Sequence, residues 1–152
     1  MNTEADHVSI YTIGYEGLEI GAFIDKLKKQ GIEMLLDIRE IAISRKSGFS
    51  KRCLADALRQ NGIEYKHIPA LGSPSEIRRY LKSTGDFIKF YEGYMNHLKG
   101  HYSELLLIED LIETRRCCLL CYEKKPEICH RQLIARELQN LSKNTKVEVV
   151  HL

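Results

Sequence analysis

At 152 residues the chain is long enough for one domain around one core. Hydrophobic residues make up 43% and charged residues 29%, which excludes a disordered or fibrous chain, and a formal net charge of +2 does not by itself announce a nucleic-acid binder. No apolar run approaches the roughly 20 residues that span a bilayer, and the opening MNTEADH lacks the basic-then-apolar pattern of an export signal.

Residues 1–7 read as a polar tail ahead of a single α/β domain over 8–152. VSIYTI (Val8 to Ile13) is β-rich and stops at Gly14. Ile20, Phe23, Ile24 and Leu27 have helical spacing and end at Gly31. EMLLDI (Glu33 to Ile38) is a buried strand. Ser50 is a candidate N-cap for a helix carrying Leu54, Ala57 and Leu58, closed by Asn61-Gly62. IEYKHI (Ile63 to Ile68) alternates and breaks at Pro69. Phe87, Phe90, Tyr91, Tyr94, Met95 and Leu98 share one helical face, which reads as core packing. A helix over Ser103 to Thr114, the strand CCLLCY (Cys117 to Tyr122), a helix from Pro126 or Cys129 to Leu141, and a strand KVEVVHL (Lys146 to Leu152) complete the chain.

Strands that alternate with helices imply a three-layer, Rossmann-like fold: a mostly parallel sheet of about five strands with helices on both faces. Such sheets gather ligands beyond the carboxyl ends of their strands. The loops that qualify are Gly14 to Leu18, Arg39 to Gly48, Pro69 to Ser75, and Glu123 to Arg131.

In the first loop, Gly14 and Gly17 permit a tight turn and a close backbone approach, with Tyr15 and Glu16 projecting from it. In the second, Asp37 and Arg39 share a strand face. They read either as a structural ion pair or as a base and an anion clamp. Ser44, Arg45, Lys46, Lys51 and Arg52 then form a hydroxyl-rich basic stretch, suited to phosphate or simply solvated. His67 reads as a satisfied core histidine. In the fourth loop Cys121 and Glu123 close a strand, and Cys129, His130 and Arg131 stand near a helix start. That position favours a thiolate, with His130 as acid or base and Arg131 as anion anchor.

The five cysteines are odd in number and no export signal accompanies them, so free thiols in a reducing, cytoplasmic setting are the default. Cys118 and Cys121 lie three apart on a strand and point to opposite faces, which rules them out as a redox pair. Cys121–Cys129 stays open as a weaker one. Cys53, Cys117 and Cys118 read as core thiols. Cys121, Cys129, His130 and His67 include no paired chelate, so no metal is assigned, and no cofactor.

TIGYEG, LLDIREIAISRKSGFSK, GIEYKHIPALGS and LLCYEKKPEICHRQLIA together resemble the domain of unknown function 488 family over about Tyr11 to Leu138. The resemblance implies a small α/β fold in a prokaryotic, cytosolic protein and no established activity. Its motif residues fall on Gly14, Asp37, Arg39, Ser44, Arg45, Tyr65, Leu71, Gly72, Cys121, Glu123, Pro126, Cys129, His130 and Arg131. Two departures are Ala42 where the family often has proline, and Ser73 in its LGG turn.

The resulting expectation is a pocket for an anionic ligand: a nucleotide, a phosphate ester or a nucleic-acid end. Arg39, Arg45 and Arg131 would hold the anion. Asp37, Glu123 and His130 are proton-transfer candidates, and Cys121 or Cys129 the nucleophile for transfer or hydrolysis. A non-catalytic nucleic-acid or protein binding module, and a thiol-redox or metal protein, are the alternatives. All of them require the acid–arginine pair and the thiol–imidazole–guanidinium trio to reach one rim.

Overall fold

The computed structural model describes residues 6–152. The tail expected over 1–7 falls mostly outside that range, but Asp6 and His7 already pair with Thr145 and Lys146. In chain order the strands are β1 (Asp6–Gly14), β2 (Met34–Asp37), β3 (Glu64–His67), β4 (Cys117–Cys121) and β5 (Thr145–His151). The helices are α1 (Ile20–Lys29), α2 (Lys51–Gln60), α3 (Ser75–Thr84), α4 (Phe87–Lys99), α5 (Tyr102–Thr114) and α6 (His130–Leu141). The strands form one sheet in the order β3-β2-β4-β1-β5, parallel at every junction.

β4 sits in the middle of this order, and each of its residues is buried. That explains its unbroken apolar run, because a central parallel strand is covered on both faces. Alternation then divides the core. Ile10, Leu36, Cys117 and Leu119 face Tyr94, Leu98, Leu105, Ile108 and Leu138 of α4, α5 and α6. Ile13, Leu35, Cys118 and Leu120 face Phe23, Leu27, Leu54 and Leu58 of α1 and α2. The three-layer, Rossmann-like reading is correct.

Sequence and structure differ in four places. α3 was not anticipated: Ile77, Tyr80 and Leu81 have helical spacing, but none is fully buried, and the helix leans on α4, with Ile77 near Gly93. Ser50 stands at the N-cap of α2 with extended backbone, but its hydroxyl bonds Ser44 instead of capping the helix. α6 is preceded by a separate 3-10 turn, Pro126–Ile128, which puts Cys129 at the N-cap. Cys53, read as a core thiol, is exposed on α2, whereas Cys117 and Cys118 are buried.

Register fixes where the site forms. Gly14 pairs with Cys121 and Asp37 with Leu120, so β1, β2 and β4 end level with one another. The order of the sheet also turns here: β4 separates β1 from β2, and the crevice beyond strands arranged in this way is where ligands of parallel sheets bind.

Gly14 secures that end. A Cβ there would lie 1.8 Å from the Glu123 carbonyl oxygen. Its close backbone approach, expected toward a ligand, is therefore toward the fourth loop. Gly14→Ala is expected to cost about 1–3 kcal/mol in denaturant unfolding through overpacking. At Gly21 a Cβ meets nothing within 4 Å, so Gly21→Ala is expected to be neutral or to stabilise by up to about 1 kcal/mol.

Candidate active-site cleft

The first component is built where β2 ends. Arg39 turns back on Asp37, with Nε donating to Oδ1 at 2.8 Å and Nη2 to Oδ2 at 2.7 Å. Asp37 also accepts the Tyr65 hydroxyl and the Arg39 amide. Arg39 Nη1 donates to the Phe49 carbonyl at 2.7 Å, pinning the second loop over the sheet. Asp37 is fully buried and Arg39 is 7% exposed. Burial pulls the Arg39 pKa down, but Asp37 and then Tyr15 more than reverse this and leave it above its ordinary value. Burial and the Asp37 carboxylate likewise raise the Tyr65 phenol. Asp37 is thus fully engaged as an acceptor, which fits the structural ion pair and not a free base. His67 Nε2 lies 2.7 Å from the Arg39 carbonyl and props the same turn.

The second component is the fourth loop, which Arg131 anchors from the first turn of α6. Its buried guanidinium donates to the Glu123 carbonyl, to the Lys124 carbonyl at 3.1 Å and to Thr12 Oγ1 at 3.2 Å. Nη1 also lies 2.9 Å from Cys121 Sγ. From the other side Glu16 accepts the Lys124 amide at 3.0 Å, and its own amide donates to the Tyr122 carbonyl at 2.8 Å. The first loop is therefore a cradle for the fourth. Burial lowers the Arg131 pKa, although Glu123 and Cys118 oppose the shift.

The third component is the reactive group itself. Cys121 and Cys129 are joined as a disulfide, with Cα atoms 7.4 Å apart, so two of the five cysteines are not free thiols. His130 Nδ1 is 3.7 Å from Cys129 Sγ, and His130 Nε2 is 2.8 Å from the Ile38 carbonyl. A carbonyl only accepts, so Nε2 carries the hydrogen and Nδ1 presents a lone pair to the sulfur. Burial brings the His130 pKa down to about 4, with the nearby guanidinium groups of Arg78 and Arg131 adding to the effect. Burial raises Glu123 above the ordinary carboxyl range.

These components meet at a two-lobed cleft. The smaller lobe, of about 270 Å³, is bounded by Tyr15, Arg39, Glu40, Arg78, Cys121 and His130. The larger, of about 590 Å³, runs from Cys129 and His130 to Ser75, Arg78, Arg79 and Lys82 on α3. Tyr122 and Glu123 border both. The acid–arginine component and the thiol–imidazole component thus share a rim.

The three arginines expected to hold an anion do not converge as a clamp. Arg39 reaches the smaller lobe but is engaged by Asp37; Arg131 is spent on carbonyls; Arg45 is exposed and lines neither lobe. Ser44 caps a turn at the Lys46 amide. Arg78 and Glu40 were missed. Glu40 holds the Ser75 amide and hydroxyl, and Arg78 bridges to Glu40 at 3.5 Å. Glu40 immediately follows the Asp37–Arg39 strand end, which was a signal; Arg78 lies on α3, whose spacing of Ile77, Tyr80 and Leu81 was a signal too.

The family model described as Domain of unknown function DUF488 matches residues 19–138. The chain belongs to the DUF488 family. The match starts after TIGYEG, which the resemblance had included, and covers the remaining motifs. No curated protein and no solved structure matches the chain. In this DUF488 domain, Asp37, Arg39 and Arg131 of the motif set build the cleft, while Cys121, Glu123, Cys129 and His130 line it.

Removing Asp37 leaves a buried guanidinium unpaired. Asp37→Ala is expected to cost about 3–5 kcal/mol, and Asp37→Leu combined with Arg39→Met much less, which a double-mutant unfolding cycle measures. His130 gives a pH signature. Its folded pKa lies below the ordinary 6.5, so the unfolded chain binds the extra proton as pH falls. Stability is then fully present above about 6.5 and lost toward about 4, by up to about 3 kcal/mol. Urea titrations between these limits should show that slope in the wild type and its loss in His130→Asn.

Proposed function

We propose that the cleft is an active site for a small anionic substrate of the nucleotide or phosphate-ester class, with the reduced thiol of Cys129 as nucleophile. The observation that supports this is the lining of the larger lobe, which Arg78, Arg79 and Lys82 of α3 share with Glu123, Cys129 and His130. Its volume of about 590 Å³ is in the range of small-molecule sites. Lys82 and Arg79 have no carboxylate partner among the described residues, so they are available to an anion, while Arg78 is held by Glu40, the Ser73 carbonyl and the Ser75 hydroxyl and borders the space as a fixed positive charge.

The chemistry follows from the surroundings of the sulfur. Cys129 holds the N-cap of α6, where unpaired backbone N–H groups and the positive end of the helix favour negative charge. His130 Nδ1 faces Cys129, so it receives the thiol proton as the sulfur attacks and not before. The thiolate attacks the substrate's electrophilic centre, and the leaving group departs with a proton from His130 or from Glu123. Water then releases the Cys129 adduct in hydrolysis, or a second acceptor takes it in transfer. The Cys121–Cys129 disulfide blocks the nucleophile, so the reaction requires the reduced protein.

A second reading, thiol–disulfide exchange, is favoured by the disulfide and by Arg131. An incoming thiolate attacks Cys129, a mixed disulfide forms, and Cys121 leaves as a thiolate beside the Arg131 guanidinium. A second thiol attacks the mixed disulfide and frees Cys129. The nucleic-acid reading has less support, because Arg45, Lys51 and Arg52 line neither lobe.

A thermal-shift screen of the reduced protein against inorganic phosphate and nucleoside phosphates tests the first reading. A binder is expected to raise Tm, and Arg78→Ala with Lys82→Ala to weaken it by about tenfold or more. Cys129→Ala is expected to abolish turnover with binding retained. If no anion shifts Tm while the protein turns over a low-molecular-weight disulfide, thiol–disulfide exchange replaces this reading.

A further inference from the structure

We infer that the reduced Cys121 and Cys129 thiolates, with the Glu123 carboxylate, form a binding site for a thiophilic divalent cation, of which Zn²⁺ is the natural probe. The inference rests on the reading of this thiol pair as the reactive face of the cleft, but not on the basic residues of α3.

The placement of the donors carries it. The two sulfurs and a Glu123 oxygen all lie within 4.8 Å of one another. Around a tetrahedral zinc, with Zn–S near 2.3 Å and Zn–O near 2.0–2.2 Å, donors sit roughly 3.5–4 Å apart. The disulfide holds the two sulfurs in bonding contact, and its reduction frees them to open to that spacing.

The elements that present the donors differ in kind. Cys121 is the last residue of a buried central strand, Cys129 is at a helix N-cap, and the intervening loop is held by Arg131 and Glu16. Donors on framework of this sort are pre-positioned, as a metal site requires. Charge also balances locally. Two thiolates and a carboxylate carry three negative charges, which a divalent cation and the adjacent Arg131 guanidinium neutralise.

Donor type selects the ion. Two thiolates exclude hard cations such as Mg²⁺ and Ca²⁺ and favour zinc-like metals. Among the described residues no fourth donor belongs to the cluster. Three protein ligands with one free position is the pattern of catalytic and not of structural zinc. Cys129 and Glu123 line the larger lobe, so an ion here would stand beside the space an anionic substrate enters. Formation of the disulfide consumes both sulfur donors, so cation and disulfide exclude each other.

The test uses the full-length protein, reduced with a non-thiol reductant, and two probes: Zn²⁺ by chelator competition, and Co²⁺ by its sulfur-to-metal charge-transfer absorption. Expected is about one ion per chain, with the cobalt band lost in Cys121→Ser and in Cys129→Ser and weakened in Glu123→Gln. Oxidised protein should take up neither ion until it is reduced. If the serine variants fail to fold, alkylation of the wild-type pair provides the second measurement: Zn²⁺ should slow it, and less so in Glu123→Gln. Reduced wild type with native circular dichroism, both thiols titratable and no cobalt–sulfur band would overturn the inference. So would a band unchanged in the Cys121→Ser, Cys129→Ser double variant. A failed anion screen beside a clear cobalt band removes only the anion-site reading; anion binding without the band removes only this one.

Discussion

The cleft depends on one buried guanidinium. Arg131 enters the interior from the first turn of α6 and is fully buried. A cation there is tolerable only because its donors are met: two loop carbonyls, a threonine hydroxyl and a cysteine sulfur. In meeting them it binds the loop after β4 to the strand end beside it. Thr12 extends the connection. Its hydroxyl accepts from Arg131, which leaves its hydrogen for His151 Nδ1 on β5. Gly14 closes the arrangement by leaving room for the Glu123 backbone. Three strands that are distant in sequence are thereby made to present one rigid loop.

This changes what the charged motif residues mean. An Arg or Asp beyond a strand end invites a ligand-binding role. Here the most buried charges are those whose valences are already filled: Asp37 by Arg39 and Tyr65, Arg131 by carbonyls. Groups with capacity left over are the less buried ones at the rim, Arg79, Lys82 and Glu123, together with the sulfur pair once it is reduced. The framework therefore consists of paired charges, and the chemistry belongs to what the framework leaves unpaired. The neutral His130 belongs to both classes, with one ring nitrogen fixed by the Ile38 carbonyl and the other free toward Cys129.

How much could be read from the sequence follows from the same physics. Apolar periodicity gave the strands, the parallel layering and most helices, because burial writes a pattern into each element. α3 escaped this reading although Ile77, Tyr80 and Leu81 have helical spacing, because the stripe is short and set among charged residues, and Arg78 was missed with it. The loops bearing Asp37–Arg39 and Cys129–His130–Arg131 were recognisable from dense polar residues at the ends of apolar strands. What those residues do was not, because the difference between a clamp and an ion pair is a matter of 2.7 Å contacts that spacing alone cannot specify. Likewise Cys53 has the helical position of a core thiol only if α2 turns that face inward, and it does not.

The two cysteines of the cleft show how far such reasoning extends. Spacing along a strand correctly separates Cys118 from Cys121: Cys118 joins the core under α1 and α2, and Cys121 is bonded to Cys129 instead. Spacing across a loop says nothing comparable about Cys121 and Cys129, which are eight residues apart. Their meeting is imposed by the turn at Pro126–Ile128, which ends the loop and sets Cys129 at the N-cap facing the end of β4. That turn, in turn, is fixed in position by Arg131, which holds the carbonyls before it, and by Glu16 from the other side. The reactive pair is thus assembled by the same guanidinium that stands beside one of its sulfurs, so its construction and its electrostatics have a common origin.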